Sequence, residues 1–377
     1  MNNQQSRKTF FSDLMTSLEN AGKVKKMPPA CLTSLSSNDY LGLSRHPRVI
    51  EASVNALRMY GTGATGSRYL SGNHPLNEEL EDRISNFKSL GKGVGRIFSS
   101  GYHANLSVTT VFGAHAGTIY SDSENHASLI DGLRLVKKPV HVFPHGDWEW
   151  VGDHLKKTGA SQPMVVTESL FSMSGDFAPI PELYKIIREK EGLLVIDDAH
   201  ATGTVGSKGR GGLDFFSLDF DTDFMIVTGT FSKALGSLGG FAILGERART
   251  ILTSLARPLI YSTALPPAML AASCTSLDIL ENSNHLTETL QDLSKRWQKD
   301  LTGASSSSPI ISLGGPLSTL REKSSKLAEF GFSLPVLVHP TVPEGQERLR
   351  LSVNLSWTSG TEEALRATFS DRIEVSR

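Results

Sequence analysis

One lysine, Lys233, stands in the run VTGTFSKALGSLGG (227–240), where almost every neighbour is Gly, Ser, Thr, Ala or Leu. Such an amine is either an ordinary solvated lysine, which most are, or a nucleophile in a tight pocket. A second chemistry-bearing stretch is LLVIDDAH (193–200), where an apolar run ends in Asp197 and Asp198 and His200 follows. Its carboxylates would serve equally as a helix N-cap or as the partner of a cationic ring nitrogen. In SSGYHAN (99–105) the N–H groups of Gly101 and Tyr102 would open a helix and face an anion. Thr230 and Ser232 add hydroxyls beside the lysine, and His126 in DSENHAS (122–128) is either an exposed loop histidine or a flat partner for a ring. A lysine for a Schiff base, a carboxylate that keeps a pyridine nitrogen protonated and an anchor for a phosphate are what pyridoxal phosphate (PLP) asks of a protein. An ionised aspartate and a pyridinium also favour each other's charge.

These residues need strands to bring them together. Short apolar runs at Arg96–Ser99, Thr118–Ser121, Val140–Phe143, Met164–Thr167, Leu193–Asp197, Phe224–Thr228 and Phe241–Leu244 alternate with helix-like segments such as Pro181–Lys190. Alternation of this kind predicts an α/β fold with a mostly parallel sheet. In such sheets ligands bind at the carboxyl ends of the strands, and Asp122, Glu168, Asp197 and Lys233 all fall at or just beyond such ends. After Tyr261 the pattern changes to one or two long helices over Leu265–Leu301. A strand (Ile310–Leu313), a helix (Leu317–Phe330), strands at Leu334–Val338 and Arg348–Val353 and a helix near Glu362–Phe369 follow. The expected organisation is an N-terminal helix and arm (1–42), a large α/β domain (43–258) and a smaller C-terminal α/β domain (259–377).

The 377 residues carry a net charge of −1 and no long basic block, which gives no footprint for nucleic acid. No run reaches the ~18 apolar residues of a membrane helix, and the polar N-terminus does not read as a signal peptide. Cys31 and Cys274 form no paired motif, so the expected setting is the reducing cytoplasm. Two glycine-rich stretches are decoys. Gly61–Gly66 (GTGATG) fits a dinucleotide fingerprint by letters, but a helix-like run precedes it and a loop follows, the reverse of what that motif needs. GKGVGR (91–96) reads as a turn. His141, His145 and Asp147 match no common zinc spacing and read as unrelated surface residues, so no metal is expected.

The motifs taken together resemble the α-oxoamine synthases, the class II PLP-dependent acyltransferases, and most closely their biotin-pathway branch. The matching stretches include SSNDYLGL (36–43), GTGATGSRYLSGNHPLNEELE (61–81), SSGYHANL (99–106), NHASLIDG (125–132), TESLFSMSGD (167–176), VIDDAHATGTVGSKGRGG (195–212), TGTFSKALGSLGG (228–240), IYSTALPP (260–267) and PTVPEGQERLRLS (340–352). The resemblance spans nearly the whole chain after residue 35. It implies fold-type I, the aspartate aminotransferase-like architecture, working as a homodimer with shared active sites. By residue it implies Lys233 as the Schiff-base lysine and proton carrier, Asp197 at the ring nitrogen, His200 at the ring hydroxyl and His126 stacked on the ring. Gly101, Tyr102, Thr230 and Ser172 would hold the cofactor, and Ser262 and Thr263 would reach its phosphate across the dimer interface. Arg350 would clamp the amino-acid carboxylate, a task suited to its planar fork, with Asn38 as helper and Thr341 beside the substrate.

The implied activity is decarboxylative condensation of L-alanine with a pimeloyl thioester, carried by coenzyme A or acyl carrier protein. Sister activities would use glycine, serine or another acyl-CoA, and an aminotransferase would share fold and cofactor without needing a thioester. A catalytically dead partner subunit could lose its lysine, but this chain keeps Lys233, Asp197 and both histidines. The chain departs from the family pattern in three places. The arm from Asn20 to Ala30 holds Lys23, Lys25 and Lys26 but no arginine; FSMSGD has Ser174 where an acidic residue is usual; and VNLSWTSG follows RLRLS.

Overall fold

A computed structural model describes residues 2–20, 24, 27, 32–339 and 341–370. The arm lysines and Cys31 lie outside the described residues. In chain order the strands are β1 (Thr33–Ser34), β2 (Val94–Phe98), β3 (Thr118–Asp122), β4 (Val140–Phe143), β5 (Pro163–Glu168), β6 (Leu193–Asp197), β7 (Met225–Thr230), β8 (Gly240–Leu244), β9 (Ile310–Gly314), β10 (Phe332–Ser333), β11 (Val336–Leu337) and β12 (Arg348–Ser352). Strands β2 to β8 make one sheet in the order β2-β8-β7-β6-β5-β3-β4. Its pairings are parallel except at β8, which runs against both of its neighbours.

The central strands read as unbroken apolar runs because both faces of the sheet are covered. Every position of β5, β7 and β8 is buried. Alternate side chains enter different cores, as a two-residue repeat requires. Val165, Leu194, Ile196 and Val227 belong to one core, while Met164, Val166, Val195 and Ile226 belong to the other. The carboxyl ends of β3, β5, β6 and β7 thus place Asp122, Glu168, Asp197 and Thr230 along one edge of the sheet. Reversed β8 begins at the same edge, with Gly240 opposite both Phe98 and Thr230.

Strands β11, β12 and β9 form a small antiparallel sheet. The segment after the N-terminal helix Asn2–Asn20 is tied to this region. There β1 pairs with β10, the Ser352 N–H donates to the Leu35 carbonyl at 2.8 Å, and the Leu355 N–H donates to the Tyr40 carbonyl at 2.9 Å. Asn38 and Tyr40 are thereby carried to Arg350.

Two of the following three elements differ from the sequence expectation. The strand expected at Leu334–Val338 is shortened to β11, which starts after Pro335, a residue without the N–H a ladder needs, while β10 lies before the expected stretch. The one or two long helices expected over Leu265–Leu301 are two, Pro267–Asn282 and Asn284–Thr302, which meet at Ser283. The turn of GKGVGR ends before Val94, so Gly95 and Arg96 already lie on β2. Gly95 is glycine for a packing reason, since a Cβ there would stand 2.4 Å from the Glu81 carbonyl oxygen. Among the described residues no helix is long and apolar enough to cross a membrane.

Candidate active site

A continuous hydrogen-bonded chain links the lysine to the arginine. Lys233 Nζ lies 2.7 Å from His200 Nε2, and His200 Nδ1 lies 2.7 Å from the Tyr40 hydroxyl. Tyr40 donates to Asn38 Oδ1 at 3.2 Å and accepts from Arg350 Nη2 at 3.3 Å. Arg350 donates further to the Ser172 carbonyl (2.6 Å), Asn38 Oδ1 (2.9 Å) and Ser352 Oγ (2.7 Å). These bonds fix the plane of the guanidinium and leave an N–H on Nη2 for a ligand carboxylate. The chain has one consistent polarity: Lys233 donates to Nε2, Nδ1–H donates to Tyr40, and Tyr40 donates to Asn38. That arrangement needs a neutral imidazole, and burial, reinforced by the positive charges of Lys233 and Arg350, holds His200 well below its ordinary value.

Asp197 is buried at the end of β6. Its carboxylate accepts from Asn105 Nδ2 at 2.6 Å and from the Ala199 N–H at 2.9 Å. Asn105 is itself oriented by Thr228 Oγ1 (2.6 Å) and by its bond to Ser128 Oγ (2.9 Å), and Ser128 Oγ lies 2.7 Å from His126 Nδ1. Asp198, by contrast, is structural. It pairs with Lys88 and accepts from Ser169 Oγ (2.6 Å), the Gly212 N–H (2.8 Å) and Thr202 Oγ1 (2.8 Å). Adjacent aspartates in one motif therefore do different work. Asp198 is neutralised by protein, whereas Asp197 has no ion-pair partner closer than 4 Å among the described residues.

Burial also lowers the Lys233 amine to about 8, against the attraction of Asp197 and Glu168 and with the help of Arg350. Glu168 stands directly beside Asp197 in the parallel register and accepts from the Ser172 N–H at 3.2 Å. Burial first, and the Asp197 charge second, hold it well above the usual carboxylate range. Burial likewise lowers His126, which caps the helix Ala127–Leu135.

The small residues around Lys233 have packing causes. A Cβ at Gly236 would come within 2.2 Å of the Ser44 N, and one at Gly203 within 2.5 Å of the Ala234 Cβ. At Gly240 a Cβ would stand 2.3 Å from the Ser100 carbonyl oxygen and 2.5 Å from the Gly101 N. Gly240 thus lets the start of helix Gly101–Gly113 lie against β7 and β8, with Ser100 capping it through the His103 N–H. As the first residues of that helix, Gly101 and Tyr102 have N–H groups without intrahelical acceptors. Thr230 Oγ1 sits beside this helix start, 2.7 Å from Ser232 Oγ.

Lys233, His200, Asn38, Arg350 and Ser172 thus meet in one hydrogen-bonded set, with Asp197, His126, Thr230, Gly101 and Tyr102 on adjoining strand ends and loops. Tyr102 is half-exposed, bonded to Asp131, with its ring edge-on to His126. Ser262 and Thr263 lie apart, lining a cleft with Arg68 and Ser99. Thr341 is exposed in the turn after β11, its N–H bonded to the Val338 carbonyl. Sequence reasoning missed Tyr40, Asn105 and Glu168 as members of the site. Tyr40 stands inside the SSNDYLGL stretch, and Asn105 inside SSGYHANL. It also misjudged His145. Instead of an unrelated surface residue, His145 bridges Asp122 (2.9 Å) and Asp176 (2.8 Å). Asp147 caps the helix Trp148–Thr158, and His141 stacks on Tyr120.

The residues present fit PLP. A buried carboxylate without a counter-ion suits a cationic ring nitrogen, a neutral-prone amine suits an aldehyde, and a glycine-cradled helix start suits a phosphate. The family described as aminotransferase class I and II matches residues 31–367. An 8-amino-7-oxononanoate synthase of Maricaulis maris (strain MCS10) is 37% identical over 91% of this chain and 87% of its own length. This chain belongs to the α-oxoamine synthases. Among solved structures, the 8-amino-7-oxononanoate synthase of Francisella tularensis is 28% identical, with a TM-score of 0.76 over 91% of this chain and 98% of that one. An SPT chain solved with PLP is 27% identical, with a TM-score of 0.80 over 90% of this chain and 86% of that one. The α-oxoamine synthase membership and the fold-type I architecture expected from the motifs therefore hold.

Proposed function

We propose that the chain condenses L-alanine with a pimeloyl thioester, carried on coenzyme A or acyl carrier protein, to give 8-amino-7-oxononanoate, carbon dioxide and the free thiol. The observation that carries this reading is a neutral-prone Lys233 amine and the Arg350 guanidinium joined in one hydrogen-bonded set, with the buried Asp197 carboxylate on the adjoining strand end. When bound, PLP supplies an electron sink for the charge that develops at the amino-acid Cα. Asp197 would hold the proton on its ring nitrogen, His126 would cover its face and His200 would meet its hydroxyl. Gly101 and Tyr102 N–H groups, Thr230 and Ser172 would hold its other edges, with Ser262 and Thr263 of a second copy at the phosphate. Arg350, steadied by Asn38 and Tyr40, would orient the amino-acid carboxylate, and Thr341 would lie beside the substrate.

Lys233 would anchor the cofactor through Nζ and, once released, take the α-proton of the amino acid. Its lowered basicity keeps part of the amine neutral near pH 7, as a general base requires. His200 Nε2 sits where it orients that amine. The loops after β3, β5 and β6, which carry His126, Ser172 and His200, would shield from water the charge that builds up on the substrate. The working unit is a cytoplasmic homodimer in which each copy completes its partner's site, with a division into 1–42, 43–258 and 259–377.

The test is purified protein with PLP and pimeloyl-CoA, given alanine, glycine or serine in turn, with free thiol followed. Release with alanine alone supports the reading. Release with glycine or serine moves the chain to a sister condensation. Aminoketone formation by a Lys233→Ala variant would sink the assignment of the lysine.

A further inference from the structure

Behind the site, His145 occupies a position that no step of the proposed reaction uses. It follows β4 and contacts two other loops. Nδ1 lies 2.9 Å from Asp122 Oδ1 at the end of β3, and Nε2 lies 2.8 Å from Asp176 Oδ2 in the hairpin after β5. Glu124 Oε2 is 3.9 Å from Nε2, and the ring meets Phe171 edge-on at 4.3 Å. Asp122 and Asp176 both face the ring as carboxylate acceptors, so both ring nitrogens donate and the group is an imidazolium. Burial would lower its basicity, but the hydrogen bonds and charges of Asp122 and Asp176 outweigh this and raise it to about 10.

Each loop gripped by His145 carries a wall of the site. Asp122 opens the loop that leads to His126, and it also accepts from the N–H groups of Glu124 (2.9 Å) and Gly146 (2.9 Å). Asp176 closes the hairpin that carries Ser172, with the Phe171 N–H donating to the Asp176 carbonyl at 2.9 Å and the Gly175 N–H to the Phe171 carbonyl at 3.1 Å. Ser172 in turn contacts Glu168 through its N–H and Arg350 through its carbonyl. Ser174, which stands where an acidic residue was expected, donates its hydroxyl to Asp176 Oδ1 and leaves Oδ2 for the histidine. An acidic residue at 174 would put a second anion against Asp176.

We propose that His145 is a positioning residue: a charged bridge that sets the spacing between the His126 loop and the Ser172 hairpin, and through Ser172 the seat of Arg350 for the amino-acid carboxylate. This rests on the proposed reaction only for its substrate. The experiment compares the purified wild type with His145→Gln, which cannot donate in two opposed directions, and with Asp176→Asn, which removes only the hairpin's charge. Ring ¹⁵N signals should show both nitrogens of His145 protonated at pH 8.5, about two units above the titration of a free histidine. In both variants hydrogen exchange at Phe171 and Gly175 should quicken about tenfold or more, while the core strands β5 to β7 keep their protection. With alanine and the thioester, KM for alanine should rise about tenfold with kcat within about threefold and KM for the thioester unchanged, the mark of lost ground-state binding. A neutral His145 at pH 8.5, exchange that rises uniformly over the chain, or loss of kcat with an unchanged alanine KM would each overturn the proposal. A wild type that releases no thiol would instead overturn the assigned reaction, and the ring signals and exchange would still decide the role of His145.

Discussion

Neutralising Arg350 and neutralising Asp197 should move the basicity of Lys233 in opposite directions. With the amine lowered to about 8, about one lysine in ten is neutral at pH 7, against roughly one in 2,500 for a solvated lysine near 10.4. That gap corresponds to about 3 kcal/mol in favour of the uncharged form. Burial supplies it, Arg350 adds to it, and Asp197 and Glu168 oppose it. For a separation of ~10 Å and an effective dielectric constant of ~20, one charge contributes about 1.7 kcal/mol, or about one pH unit. Arg350→Gln should therefore raise the Lys233 midpoint by about one unit, and Asp197→Asn should lower it by a similar amount. The assay is reductive methylation of the cofactor-free protein with formaldehyde and cyanoborohydride between about pH 6.5 and 10.5, read peptide by peptide by mass spectrometry. Exposed Lys156 serves as the internal reference. A Lys233 midpoint that coincides with that of Lys156 would refute the reasoning, and so would a shift of both variants in the same direction.

Three further outcomes are expected. The His145 bridge, raised to about 10 in the fold from an unfolded value near 6.5, stabilises fully below about pH 6.5 and loses its effect as pH rises through about 10. The unfolding free-energy gap between wild type and His145→Gln should therefore shrink over that window, from about 2 kcal/mol once solvent screening of the part-exposed ring is discounted; a pH-independent gap would contradict it. Gly240→Ala should cost about 1–3 kcal/mol by overpacking against Ser100 and Gly101, and should weaken binding of inorganic phosphate, measured by calorimetry; unchanged Tm and phosphate affinity would count against the cradle. Trp297→Ala removes a side chain only 1% exposed, packed edge-on against Trp357, and should cost about 3–5 kcal/mol in urea unfolding.

The strands of the large sheet were legible because double-sided burial writes itself as short apolar runs, and β4 and β6 start and stop where the runs do. Lys233, Asp197 and His200 stood out as polar residues at the ends of such runs. The supporting side chains were harder to read. Nothing in the local pattern around Tyr40 shows that it will lie between His200 and Arg350, because both contacts are made across the fold. Glu168 was visible at a strand end, but its neutral state follows from burial beside Asp197, which only the register of β5 against β6 reveals. His145 misled because its spacing was judged for a metal, whereas its partners Asp122 and Asp176 come from other loops. Pro335 was a readable signal against one continuous strand at 334–338.

Asn38 and Arg350 meet although 312 residues separate them in the chain. At a synthesis rate of roughly 5–20 residues per second, the first waits on the order of 15–60 s for the second. During that interval the nascent chain can already close β6 on β7 and bring His200 to Lys233, yet it lacks Arg350. The order of translation therefore keeps Lys233 and Arg350 apart until nearly the whole polypeptide has emerged. A chain stopped short of β12 would lack the arginine proposed to hold the substrate carboxylate.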